Sequence, residues 1–159
     1  MYTTEQLITL VNHALDELYI NEGYLFENNS TERNLVFHFS RYFINIANSK
    51  EFYKFYSVDC EYNRNKLDYK RYQSMIYGNE SRRMFPDLIF HKRGTNENNI
   101  LAIEFKKNKL SDENDFCKLK ALTNSDCEYK YKLGLYINLT KKRNKETIVK
   151  FIDGVKYED

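Results

Sequence analysis

One stretch, residues 84 to 106, restricts this chain more than any other. It reads Met84-Phe85-Pro86-Asp87-Leu88-Ile89-Phe90, then a polar segment from His91 to Asn99, then Ile100-Leu101-Ala102-Ile103-Glu104-Phe105-Lys106. Two short apolar runs around a loop holding Gly94 and several asparagines predict a β-hairpin. Pro86, the only proline in the chain, falls at the first position of a strand, where a missing N–H is tolerated. Side chains alternate along a strand, so Glu104 and Lys106 share a face. A hairpin symmetric about the Thr95-Asn96 bond sets residue 87 opposite residue 104, and opposed residues hold their Cβ atoms roughly 4.5–5.5 Å apart. Two carboxylates and an ammonium then converge. The acids repel unless a cation lies between them, and hard oxygen ligands suit Mg²⁺ or Mn²⁺.

The rest of the chain supplies elements to pack around this hairpin. Thr3 and Gln6 form a capping-box pair for a first helix over residues 3–19, with Leu7, Leu10, Val11, Ala14, Leu15 and Leu18 at helical spacing. Ser30 is the expected cap of a second helix, from Thr31 to about Asn48, with Leu35, Val36, Phe39, Phe43 and Ile46 inward. Glu32 stands one turn before Val36, at the edge of the apolar stripe. It is either a first-turn carboxylate favoured by the helix dipole or an acid aimed over the sheet. Phe55 to Arg64 alternates as a half-buried strand, with Asp59 and Glu61 on its polar face.

Asn65 to Arg83 reads as a long polar loop in which Tyr69, Tyr72 and Tyr77 interleave with Lys70, Arg71, Arg82 and Arg83. Such a loop either stacks bases and binds phosphates or packs its tyrosines on a sheet edge. Ser111 is the expected cap of a third helix over 112–124, where Asp115 and Lys118 lie on one side, either as an exposed i,i+3 ion pair or with Lys118 approaching the sheet where Lys106 ends. Tyr131 to Leu139 is a buried strand, parallel to the one before the helix. An Asp153-Gly154 turn closes a final hairpin over 147–157.

Length and composition fit one globular domain over 1–159. The net charge of +2 is not that of a protein that coats nucleic acid, yet acidic metal ligands would offset basic contacts in an enzyme. Basic residues gather from Arg64 to Arg93, including Arg82, Arg83, Lys92 and Arg93, and again at Lys141 to Lys145. They are either a solvated surface or a phosphate-binding rim. Cys60, Cys117 and Cys127 are odd in number and widely spaced, and no secretion signal is visible, so a cytoplasmic location with reduced thiols is expected. No apolar run reaches the roughly 18–20 residues of a membrane-spanning helix, so no membrane partner is expected.

Pro86-Asp87 followed by Glu104-Phe105-Lys106 resembles the signature of the PD-(D/E)XK nuclease superfamily. The order helix, three strands, helix, strand across about residues 30–139 is similar to the core of that fold. The resemblance implies an α/β (α+β) chain with a restriction-endonuclease-like core: a central mixed sheet of about four strands flanked by helices. Helix 3–19 and hairpin 147–157 would be additions. It further implies a divalent-metal-dependent nuclease, with Glu32, Asp87, Glu104 and Lys106 as the catalytic set. Mg²⁺ or Mn²⁺ would be held by Asp87, Glu104 and the Phe105 carbonyl, with Glu32 acting through water. Nucleic acid, DNA before RNA, would be the partner, contacted by Arg82, Arg83, Lys92, Arg93 and Lys118. Small stand-alone members of the family often work as dimers, which leaves a homodimer open. The alternative on the same fold is a non-catalytic nucleic-acid-binding or protein-binding module.

Overall fold

A computed structural model describes residues 3–49, 55–74, 78 and 80–157. The chain is α+β, built on a mixed six-stranded sheet. Helix α1 (Thr4–Asn21) begins with the expected capping box of Thr3 and Gln6 and buries the six apolar residues that its spacing selects. A short helix α2 (Gly23–Glu27) leads to α3 (Glu32–Asn48). Thr31, not Ser30, caps α3 by accepting the Asn34 N–H. Ser30 Oγ instead accepts from the Asn34 side chain.

The strand expected over 55–64 is regular for three residues only, β1 (Ser57–Asp59). The segment expected as a loop folds into two small sheets. One pairs β2 (Arg64–Asn65) with β3 (Asp68–Tyr69), and the other pairs β4 (Arg71–Ser74) with β5 (Glu80–Arg83). Tyr72 is buried in the core, so packing takes that ring. Tyr77 lies outside the described residues. The central hairpin joins β6 (Leu88–His91) to β7 (Leu101–Lys107). Its register sets Leu88 opposite Ile103 and Ile89 opposite Ala102, which is the symmetry about Thr95-Asn96 read from the sequence.

Helix α4 (Glu113–Thr123) follows, capped by Asp112 rather than Ser111. It returns the chain to β8 (Leu133–Leu139), parallel to β7. The closing hairpin, β9 (Thr147–Ile152) and β10 (Val155–Tyr157), joins the same sheet beyond β8. The sheet order is β1-β6-β7-β8-β9-β10, so six strands replace the four expected, because the terminal hairpin pairs with β8.

The sheet has two covered faces. Leu101, Ile103 and Phe105 point to one core with α1 and α3, where Phe39 meets Phe105 at a ring separation of 4.9 Å. Ile89 and Ala102 point to the other core, with α4, Tyr72 and Phe151. Strand alternation therefore sends Asp87, Glu104 and Lys106 to the α4 face.

Candidate functional site

Four elements meet at the C-terminal end of β7. Asp87 lies just before β6, and its Oδ2 accepts the Phe105 N–H at 2.7 Å, which fixes it beside the partner strand. Glu104 is completely buried. Its Oε2 accepts from Lys118 Nζ of α4 at 2.8 Å, while Oε1 has no hydrogen-bond partner. Lys106 Nζ lies 2.7 Å from Asp115 Oδ2 and 3.7 Å from Glu32 Oε1, and donates to the Phe105 carbonyl at 3.1 Å. Glu32, from the start of α3, reaches across the strand end, where its Oε2 accepts the Lys107 N–H at 3.0 Å. The four residues of the expected catalytic set thus lie near one another; Glu32 is a first-turn acid of α3 that also reaches the end of β7.

Asp115 was not among the expected site residues, and it belongs there by position. It is 2% exposed. Lys118 Nζ lies 2.6 Å from its Oδ1, so one carboxylate bridges Lys106 and Lys118. Of the two readings of this i,i+3 pair, the one with Lys118 turned to the sheet is found: the pair is buried, and Lys118 reaches Glu104. A signal existed in the sequence: Asp115 stands one turn before buried Leu119, as Glu32 stands before Val36.

Burial acts strongly on these charges. Desolvation raises the Asp87 carboxyl to about 6, against the Phe105 hydrogen bond and the charges of Lys106 and Lys118. Desolvation also lifts Glu104 well above the usual carboxylate range; Lys118 opposes this, and Asp87 and Asp115 add to it. Burial would lower the Lys106 ammonium, but the Asp115 hydrogen bond and charge, with Glu32 and Asp87, outweigh it and hold it above its ordinary value. Lys118 is raised likewise: Glu104 and Asp115 overcome its burial.

Among the described residues, no group of three or more His, Cys, Asp or Glu side chains is gathered to hold a metal ion. The donor set that remains is smaller: the Asp87 carboxylate, the unpartnered Glu104 Oε1 and the Phe105 carbonyl, which now receives an ammonium hydrogen bond. Hard oxygens of this kind, two of them from carboxyl groups, suit a divalent cation that keeps several waters. Asp115 is committed to the two lysines.

Two clefts flank the site. One, of about 410 Å³, is lined by Tyr72, Arg82, Arg83, Phe85, Asn114 and Lys118. The other, of about 230 Å³, is lined by Glu32, Arg33, Val36, Phe37, Glu61 and Asp87. The structure therefore sorts the five expected nucleic-acid contacts. Arg82, Arg83 and Lys118 share the first cleft. Arg93 is tied to Asp59, whose carboxylate also meets His91, and this holds the two strands β1 and β6 together. Lys92 is exposed beside it. Asp59 and Glu61 also resolve: Asp59 takes this structural role, and Glu61 pairs with Arg33 at 3.1 Å. In the second basic run, Arg143 clamps Asp16, Asn12 and Glu146.

The chain matches no family model, no curated protein and no solved structure. No helix among the described residues is long and apolar enough to cross a membrane.

Proposed function

We propose that this protein is a divalent-metal-dependent nuclease of the PD-(D/E)XK type, hydrolysing phosphodiester bonds of nucleic acid, with DNA favoured over RNA. The observation that carries the reading is the buried, unpartnered Glu104 Oε1 on the same face as Asp87, with the Lys118 ammonium on its other oxygen. An unpaired buried carboxylate oxygen is costly unless something charged completes it. The strand order β1-β6-β7-β8, with α3 before it and α4 between its parallel pair, supports a restriction-endonuclease-like core.

In this reading Asp87, Glu104 and the Phe105 carbonyl hold Mg²⁺ or Mn²⁺, and Glu32 acts through water. Such an ion would supply Lewis-acid chemistry, an acidified water and a polarised phosphoryl group. Lys106 stays protonated and offers positive charge to the transition state, and Asp115 fixes its position. Arg82, Arg83 and Lys118 hold the phosphates beside the reacting one.

A second reading keeps the surface and drops the catalysis: a nucleic-acid-binding or protein-binding module. It is favoured by the ion pair that already occupies Glu104, since Lys118 could serve permanently as its counter-ion. Cleavage separates the two. The protein is incubated with circular single-stranded and supercoiled DNA in Mg²⁺, Mn²⁺ or EDTA, beside Asp87→Ala and Lys106→Ala. The nuclease reading expects cleavage that needs metal and falls on the order of 10²-fold or more in each variant. Absent cleavage by the intact protein leaves the binding module, and cleavage that persists in EDTA removes the metal-dependent mechanism.

A further inference from the structure

We propose that the substrate is single-stranded nucleic acid, whose unpaired bases stack on Phe37 and Phe85 while the backbone between them passes Asp87 and Lys106, above the buried Glu104. The cleavage part of this rests on the nuclease reading; the binding part does not.

Phe37 and Phe85 are 60% and 48% exposed. One exposed ring needs no explanation. Here each of two rings lines one of the two clefts beside the site. Phe85 precedes Pro86-Asp87 and lines the basic cleft with Arg82, Arg83 and Lys118. Phe37 lines the other cleft with Glu32 and Asp87. A duplex hides its base faces within the stack, whereas an unpaired strand offers each one to an aromatic ring.

Charge follows the same arrangement. Among the described residues no acid lines the Phe85 cleft, so a phosphate next to the reacting one meets Arg82, Arg83, Lys118 and Asn114 there. Arg83 is held by stacking: the Tyr69 ring lies 3.8 Å from its guanidinium carbon and 4.7 Å from that of Arg64. Stacking uses the guanidinium face and leaves its N–H edge for hydrogen bonds. On the Phe37 side Arg33 is paired with Glu61, so ring stacking, not phosphate binding, supplies the hold.

The test is fluorescence anisotropy in EDTA, where cleavage is silent, with a labelled mixed-sequence 20-mer as single-stranded DNA, single-stranded RNA and duplex DNA. The proposal expects single strands to bind at least tenfold tighter than duplex. It expects Phe37→Ala and Phe85→Ala each to weaken single-strand binding by about 5- to 100-fold, the measured range for stacking one base. Both rings are exposed, so an unchanged urea midpoint shows that the variants are folded. The DNA and RNA arms assign the preferred sugar. Duplex binding equal to or tighter than single-strand binding overturns the proposal, as does unchanged affinity in both variants or no binding to any probe. Single-strand binding by a protein that never cleaves leaves this proposal standing and removes the nuclease reading.

Discussion

Asp115 is the residue on which both site lysines depend. Its two oxygens face Lys106 and Lys118, and all three side chains are at least partly withdrawn from water. Removing one member of such a buried network leaves the others uncompensated. Asp115→Ala is therefore expected to cost about 3–5 kcal/mol of stability, read from urea unfolding. Asp115→Asn keeps the volume and should cost less, and on the nuclease proposal it still lowers cleavage. Asp87 gives a pH prediction. Its carboxyl is raised to about 6, above its value in the unfolded chain, so the folded state holds the proton more tightly. Metal-free stability from this group is full at low pH and declines as pH rises through 6. A cation needs the ionised form, so Mn²⁺ affinity should move the opposite way, falling as pH drops through 6 and more shallowly in Asp87→Asn. At this scale the sequence showed Asp87, Glu104 and Lys106, because a strand's period of two places side chains without ambiguity. It hid Asp115, because a polar i,i+3 pair on a short helix is ordinarily solvated, and only the buried Glu104 across the gap reverses that.

Element boundaries follow local chemistry where the chemistry is strong. The capping box at Thr3, the β6–β7 register and the Asp153-Gly154 turn were all legible. Each depends on residues within a few positions, and the last has both residues at positive φ, 50° and 73°. The small sheets β2–β5 were not legible: strands of two to four residues, mostly polar, carry no usable alternation. What holds them is tertiary. Tyr129 Oη accepts the Arg71 N–H at 2.7 Å, and buried Lys70 donates to the Arg64 carbonyl. Gly134 gives a test of how α4 is held to the sheet. A Cβ there would lie 2.9 Å from Thr123 Cγ2, 3.2 Å from Phe151 Cβ and 3.3 Å from Leu119 Cδ2. Thr123 is buried and Phe151 is part of the neighbouring strand, so neither yields freely. Gly134→Ala is expected to lower stability by about 1–3 kcal/mol through overpacking, with a lower urea midpoint. A neutral result would mean that α4 shifts easily, and the Lys118–Glu104 geometry with it.

Across the whole molecule, two covered faces leave the strand ends as the place where charge can gather. The α1/α3 core anchors β7 through Leu101, Ile103 and Phe105. The α4 face then receives the intervening side chains, apolar at Ala102 and charged from Glu104 onward. Neither the six-strand count nor the path of the terminal hairpin was visible beforehand, since edge pairing depends on partners far away in sequence. The central claim is that Asp87 and Glu104 form a divalent-cation site in this otherwise lysine-neutralised pocket. Isothermal titration of Mn²⁺ into the intact protein at pH 7.5 tests it directly, beside Asp87→Asn and Glu104→Gln. The account predicts saturable binding that both substitutions weaken by at least tenfold. No binding by the intact protein, or equal binding by all three, would contradict it.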